Sequence, residues 1–104
     1  MERERLFAEI KRRLSEAYGD RLKKVVIYGS EARGEAEPDS DIDVMVVLEG
    51  EVKLLDEIAR STNAVYPLVL ETGRPIHPDP VSAETYETCD YSLYRAVRAE
   101  GIAL

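Results

Sequence analysis

Two aspartates separated by one residue, Asp41 and Asp43, stand at the head of the apolar run Val44-Met45-Val46-Val47-Leu48. In an extended strand side chains alternate between faces, so both carboxylates project from one side, ~6–7 Å apart at the backbone. Such a pair suits Mg²⁺, which takes one or two protein carboxylates and completes its octahedron with water and phosphate oxygens. A solvated Asp-x-Asp at a strand end is common, and alone it says little. These acids, however, lead into a segment that should be buried, where two like charges are costly unless a cation compensates them. Upstream, another apolar run ends in Gly29-Ser30. Glycine permits tight backbone approach to a phosphate, and a serine hydroxyl with adjacent N–H groups can hold its oxygens. By itself a Gly-Ser after a strand is more often a plain turn. Arg33 adds a fixed positive charge, either a clamp on phosphate oxygens or a surface ion pair with Glu31 or Glu37. Jointly, a phosphate grip on one strand beside a metal-binding pair on the next points to metal-assisted chemistry on a polyphosphate.

Those groups need two adjacent strands and elements to bury them. Leu6, Ile10, Leu14 and Ala17, with Phe7 and Tyr18 beside them, predict a helix over residues 2–18, stopped by Gly19. Leu22 to Tyr28 reads as a buried strand through Val25-Val26-Ile27, and residues 42–48 as a second. Between them, residues 29–40 form a loop with at most a short helix. After a turn at Glu49-Gly50, Val52, Leu55, Ile58 and Ala59 give the apolar stripe of a second helix ending near Thr62-Asn63. Ala64 to Leu70 predicts a third strand, at an edge or bulged because of Pro67. Residues 72–82 hold three prolines and at most a short extended segment. Ser82 is placed to cap a short helix from Ala83, and Ser92 to Glu100 predicts a last helix closed by Gly101. The expected fold class is α/β (α+β), a small mixed β-sheet flanked by helices, in a single domain over residues 1–104.

Net charge is −7, which argues against non-specific binding of duplex nucleic acid and suits a divalent cation or a basic protein partner better. Cys89 is the only cysteine, so neither a disulfide framework nor a CxxC zinc site is expected. The charged start, Met1-Glu2-Arg3-Glu4-Arg5, lacks the apolar core of a signal peptide, and no run approaches the ~20 residues of a membrane span. A cytoplasmic protein is the expectation. Tyr18, Tyr28, Tyr66, Tyr86, Tyr91 and Tyr94 have no basic field around them and read mostly as core or interface residues. The helices at 2–18 and 92–104 carry apolar stripes that suit a partner or a homo-oligomer.

The stretch GSEARGEAEPDSDIDVMV resembles the signature GSxxRG…SDxDxxV of the DNA polymerase β-like nucleotidyltransferase superfamily, and most resembles its minimal nucleotidyltransferases. The ending LYRAVRAEGIAL is similar to the closing helix and tail of that family. The resemblance implies a polymerase β-like fold and transfer of a nucleoside monophosphate, AMP from ATP or from another NTP its equivalent, to a hydroxyl. It implies that Gly29 and Ser30 bind the triphosphate and that Asp41 and Asp43 ligate two Mg²⁺ ions. Arg33, Gly34 and Ser40 would shape the nucleotide loop. It further implies an antitoxin that adenylylates a tyrosine of a HEPN-type partner toxin. A nucleotide-binding module that neutralises its partner by contact alone is the alternative.

Many members of that superfamily carry a third carboxylate on a later strand. Ile76-His77-Pro78-Asp79 corresponds to that strand, with His77 where the acid is often found and Asp79 two residues on. Asp79 is the candidate, against its reading as a turn residue between Pro78 and Pro80. Glu71 is another, and a partner supplying the group is a third possibility.

Overall fold

Leu6, Phe7, Ile10, Leu14 and Tyr18 line one side of the first helix, α1 (Arg3–Tyr18), and all five are buried, as their spacing requires. The computed structural model describes residues 1–104. After a single turn at Gly19–Arg21 the chain enters strand β1 (Leu22–Tyr28), passes the short helix α2 (Ser30–Arg33), and returns as β2 (Ile42–Leu48). β1 and β2 are antiparallel, with Tyr28 opposite Asp43 and Leu22 opposite Leu48. Helix α3 (Leu54–Thr72) carries the chain back, so that β3 (Ile76–Ser82) runs parallel to β2. Helices α4 (Ala83–Thr88) and α5 (Ser92–Glu100) follow, and β4 (Ile102–Ala103) pairs antiparallel with β1. The result is a mixed four-stranded sheet in the order β3-β2-β1-β4.

The two faces of the sheet are unequally covered. α1 and α3 pack on Val25, Ile27, Ile42, Val44, Val46 and Leu48 in a cluster of 14 buried residues. On the other face Val26, Met45, Val47 and Val81 meet Tyr86 of α4 and Val97 of α5 in a cluster of only 6. The thinner roof leaves one end of that face open, and Tyr28, Asp41, Asp43, His77 and Asp79 stand there by the alternation of their strands. Gly101 is needed to close the roof, because a Cβ there would overlap Val26 and the Val97 carbonyl.

Two expectations fail. Residues 64–70 are the second half of α3, not a strand, because Glu57, Ser61, Val65 and Leu68 recur at helical spacing on its buried side. Pro67 lies inside this helix, on its exposed side, where water can meet the carbonyl of Asn63 that loses its donor. Gly73, at φ 72°, ends the helix by donating its N–H to the Val69 carbonyl. The third strand is instead β3, in the proline-rich stretch expected to hold at most a short extended segment, where the family resemblance placed a strand at Ile76-His77-Pro78-Asp79; as an edge strand it tolerates Pro78 and Pro80. The second failure concerns the stripe of α3: Leu55, Ile58 and Ala59 are exposed, whereas the acid Glu57 is buried. Arg21 pairs with Glu57 at 2.8 Å, and the Tyr18 hydroxyl donates to the Glu57 carbonyl at 3.0 Å. Ser82 caps α4 as expected, accepting the Thr85 N–H at 3.1 Å.

Candidate active site

β1 ends at Tyr28 and the chain reverses at Gly29, which takes φ 71° and ψ −149°, a region open to little but glycine. A Cβ at this position would lie 2.5 Å from Oδ2 of Asp43, so glycine is required by the backbone and by the neighbouring carboxylate alike. Ser30 then opens α2, whose first N–H groups lack intrahelical acceptors. The turn closes through Gly34 in the left-handed conformation and a 2.9 Å bond from the Glu35 N–H to the Ser30 carbonyl. Ser40 accepts the Glu37 N–H at 2.8 Å and thereby shapes the loop before Asp41. Arg33 is exposed and pairs with Glu35 at 3.2 Å, not with Glu31 or Glu37. So open a pair is worth little and leaves the guanidinium available.

The acids gather at the open end of the sheet. Asp41 Oδ2 lies 2.9 Å from His77 Nε2, and Asp79 accepts the hydroxyl hydrogen of Tyr28. Asp79 thus stands with Asp41 and Asp43, whereas Glu71 sits near the end of α3, a helix on the opposite face. Asp43 is half-buried and makes no side-chain hydrogen bond within the chain. Burial, then the charges of Asp79 and Asp41, push its carboxyl above the usual range, against the pull of His77 and Arg33. Tyr28 is pushed up as well, by burial first and then by its bond to Asp79. No three acidic, histidine or cysteine side chains converge tightly enough to hold an ion unaided. A cation here would need phosphate and water oxygens besides Asp41 and Asp43, a donor set that suits Mg²⁺.

Beside this cluster a cleft of about 200 Å³ is lined by Tyr28, Gly29, Arg33, Leu93, Ala96, Val97 and Glu100. The lining from α5 was not apparent from sequence spacing, because α5 is far from the motif along the chain. A larger hollow of about 610 Å³ lies between Glu49–Leu54 and Pro80–Thr85, at the far end of the strands from Gly29, Asp41 and Asp43. The smaller cleft borders the strained Gly29, which in turn abuts the Asp43 carboxylate.

The nucleotidyltransferase domain profile matches residues 7–100. The chain belongs to the nucleotidyltransferase family. Over its whole length this nucleotidyltransferase is 32% identical to a protein of Methanocaldococcus jannaschii named "Putative protein adenylyltransferase", spanning 99% of that protein. Its fold is similar to the crystal structure of a "putative nucleotidyltransferase" from Sulfolobus solfataricus, with a TM-score of 0.68 at 20% identity over 95% of this chain and 76% of that one. It is also similar to a chain in a toxin–antitoxin structure with AMP-PNP, with a TM-score of 0.61 at 23% identity over 92% and 69%.

One acid of the nucleotidyltransferase motif has a role its position did not suggest. Glu31 is buried, and its Oε2 accepts from Arg3 Nε at 3.0 Å while Arg74 Nη2 lies 2.7 Å from Oε1. The Arg74 contact is an ion pair bent too far for a hydrogen bond. Arg74 Nε also donates to the Ser40 carbonyl at 3.0 Å. One carboxylate therefore ties the start of α1, the turn that begins at Gly29 and, through Arg74, the residue preceding Asp41. Burial raises the Glu31 carboxyl, but the adjacent guanidinium charges of Arg74 and Arg3 outweigh it and hold it below the usual range. Its stabilising contribution is present above the unfolded value of about 4.3 and is lost as pH falls through the lower folded value. Glu31→Gln should cost about 2–3 kcal/mol at neutral pH, somewhat less than a fully buried pair because Arg3 is half-exposed. Urea unfolding across pH should show the gap between the two proteins closing below roughly pH 4.

Proposed function

We propose that this nucleotidyltransferase transfers AMP from ATP to a hydroxyl of a partner protein, with Mg²⁺ held at Asp41 and Asp43. The observation that carries the reading is the unpaired Asp43 carboxylate against Gly29, with Asp41 and Asp79 on the same face. Two bound Mg²⁺ ions would polarise the α-phosphate and the acceptor hydroxyl and neutralise the departing pyrophosphate. The chain's own residues do the rest. Gly29 and Ser30 seat the triphosphate, Arg33 offsets its charge, and Leu93 and Ala96 of α5 offer the base an apolar wall. Asp79 takes the acceptor's proton, and Tyr28 fixes the direction of that carboxylate. The acceptor hydroxyl forms the new bond to the α-phosphorus as the bond to pyrophosphate breaks. Positioning and charge stabilisation supply most of the rate.

The name of the M. jannaschii relative supports AMP transfer to a protein, and the AMP-PNP of the toxin–antitoxin structure supports an adenine nucleotide. On this reading the chain is the cytoplasmic antitoxin of a HEPN-type toxin, and a toxin tyrosine is the acceptor. Incubation with the product of the adjacent gene and ATP labelled at the α-phosphate should label that protein, whereas γ-labelled ATP should not. Label moving from the γ-position would replace AMP transfer with phosphoryl transfer. The pairing of His77 with Asp41 and of Tyr28 with Asp79 favours a second reading, neutralisation by contact alone. An Asp41→Asn/Asp43→Asn variant that still neutralises the toxin in cells would select it.

A further inference from the structure

Helix α5 presents one face to the cleft beside Gly29. Leu93, Ala96, Val97 and Glu100 recur at the spacing of a single helical face, and all four line that cleft. The first three are apolar; the fourth is an acid without a partner. No hydrogen bond or ion pair engages its carboxylate, since Arg33 pairs with Glu35, Arg95 with Asp90, and Arg98 donates to the carbonyls of Tyr86 and Cys89. Its position also works against the helix. Glu100 is the last residue of α5, where free carbonyls concentrate negative partial charge and a cation is favoured. Neither packing nor helix electrostatics accounts for an acid there.

β4 pairs with β1 so that Ile102 faces Ile27, and this antiparallel register brings the end of α5 to the end of β1, beside Gly29. From Glu100 the cleft-lining face continues along α5 to Ala96, about 6 Å on, and to Leu93, about 10 Å on. The order is a turn suited to phosphate, then a bare carboxylate, then an apolar wall. A nucleotide presents phosphate, hydroxylated sugar and flat base in that same order. We propose that Glu100 accepts hydrogen bonds from the ribose 2′- and 3′-hydroxyls and so selects ribonucleoside triphosphates over their deoxy counterparts. This inference rests on the AMP-transfer reading above. An ionised carboxylate is acceptor-only and can take both hydroxyls of a diol, one on each oxygen. Acids hold ribose hydroxyls in the same way in dinucleotide-binding folds. Toward the triphosphate itself Glu100 is repulsive, so a nucleotide lacking the hydroxyls keeps the repulsion and gains no bond in return.

Titration calorimetry of the full chain with ATP and with 2′,3′-dideoxy-ATP, using Ca²⁺ in place of Mg²⁺ to hold back turnover, tests this. The wild type should bind ATP roughly tenfold tighter, as suits charge-assisted bonds at an exposed site. Glu100→Ala should weaken ATP about tenfold while leaving dideoxy-ATP unchanged or bound more tightly, so that the preference disappears. Glu100→Gln keeps the shape and one acceptor oxygen without the charge, and should fall between the two. Circular dichroism should be unchanged in both variants, because the side chain is exposed. Equal wild-type affinity for the two nucleotides overturns the proposal and leaves the transfer reading intact. So does a Glu100→Ala variant that loses both nucleotides equally, the mark of a merely structural role. A wild type that binds neither nucleotide removes the transfer reading, and this inference with it.

Discussion

Asp43→Asn should abolish transfer and yet make the nucleotide-free protein more resistant to heat. The loss should be about 10³-fold or more, because the residue proposed to share the metal ions loses its charge where several kcal/mol of transition-state stabilisation arise. The gain has a separate origin. Asp43 is partly buried, has no donor of its own, and faces Asp41 and Asp79, so its ionised form is disfavoured in the folded chain and its carboxyl titrates above the usual range. A carboxylate raised in this way weakens folding once ionised, and that penalty vanishes as pH falls through the folded value. Asparagine, neutral at every pH, escapes it. The variant's higher Tm should therefore be evident at neutral pH and fade on acidification. Adding Mg²⁺ and ATP should reverse the order, since the wild type gains stability from binding and the variant does not. A variant that transfers AMP at the wild-type rate would remove Asp43 from the chemistry; one that melts lower at neutral pH would refute the electrostatic account.

The same contrast shows which parts of the protein its sequence displays. Gly29, Asp41 and Asp43 are legible because their geometry is local: a turn needs its glycine, and a period of two puts both acids on one face. Helix α1 and the strands β1 and β2 are legible for a similar reason, since their apolar periodicity coincides with burial. Helix α3 breaks that coincidence. Its stripe is exposed and its buried side carries Glu57 and Ser61, because Arg21 and Tyr18 arrive from elsewhere to satisfy them. An apolar run around Pro67 then imitates a strand, while the true β3 hides among prolines that only an edge position tolerates. Glu31 and Arg74 were opaque for the same physical reason. Their tie spans α2 and the approach to β3, and no spacing announces a partner brought in by the fold.

Gly29→Ala should be the most damaging single-methyl change in the chain. Its backbone lies where a Cβ costs on the order of 1–3 kcal/mol. The added carbon would also meet Asp43 Oδ2 at 2.5 Å. Either the turn opens or the carboxylate rotates away, and both separate the proposed phosphate seat from the acid proposed to hold the metal. A displacement near 1 Å at such a site costs roughly 10²-fold in rate, so transfer should fall at least that far alongside the stability. Gly34→Ala is the control, since Gly34 also has positive φ, 73°, but a Cβ there meets nothing within 4 Å. It should lose about 1–2 kcal/mol of stability and far less activity. Pairing Gly29→Ala with Asp43→Ala then separates the two costs: removing the carboxylate relieves the contact and leaves the backbone strain, so the stability losses should be less than additive. Strict additivity, or equal loss of transfer from both glycine variants, would put the requirement in the backbone alone and sever the proposed link between the phosphate turn and Asp43.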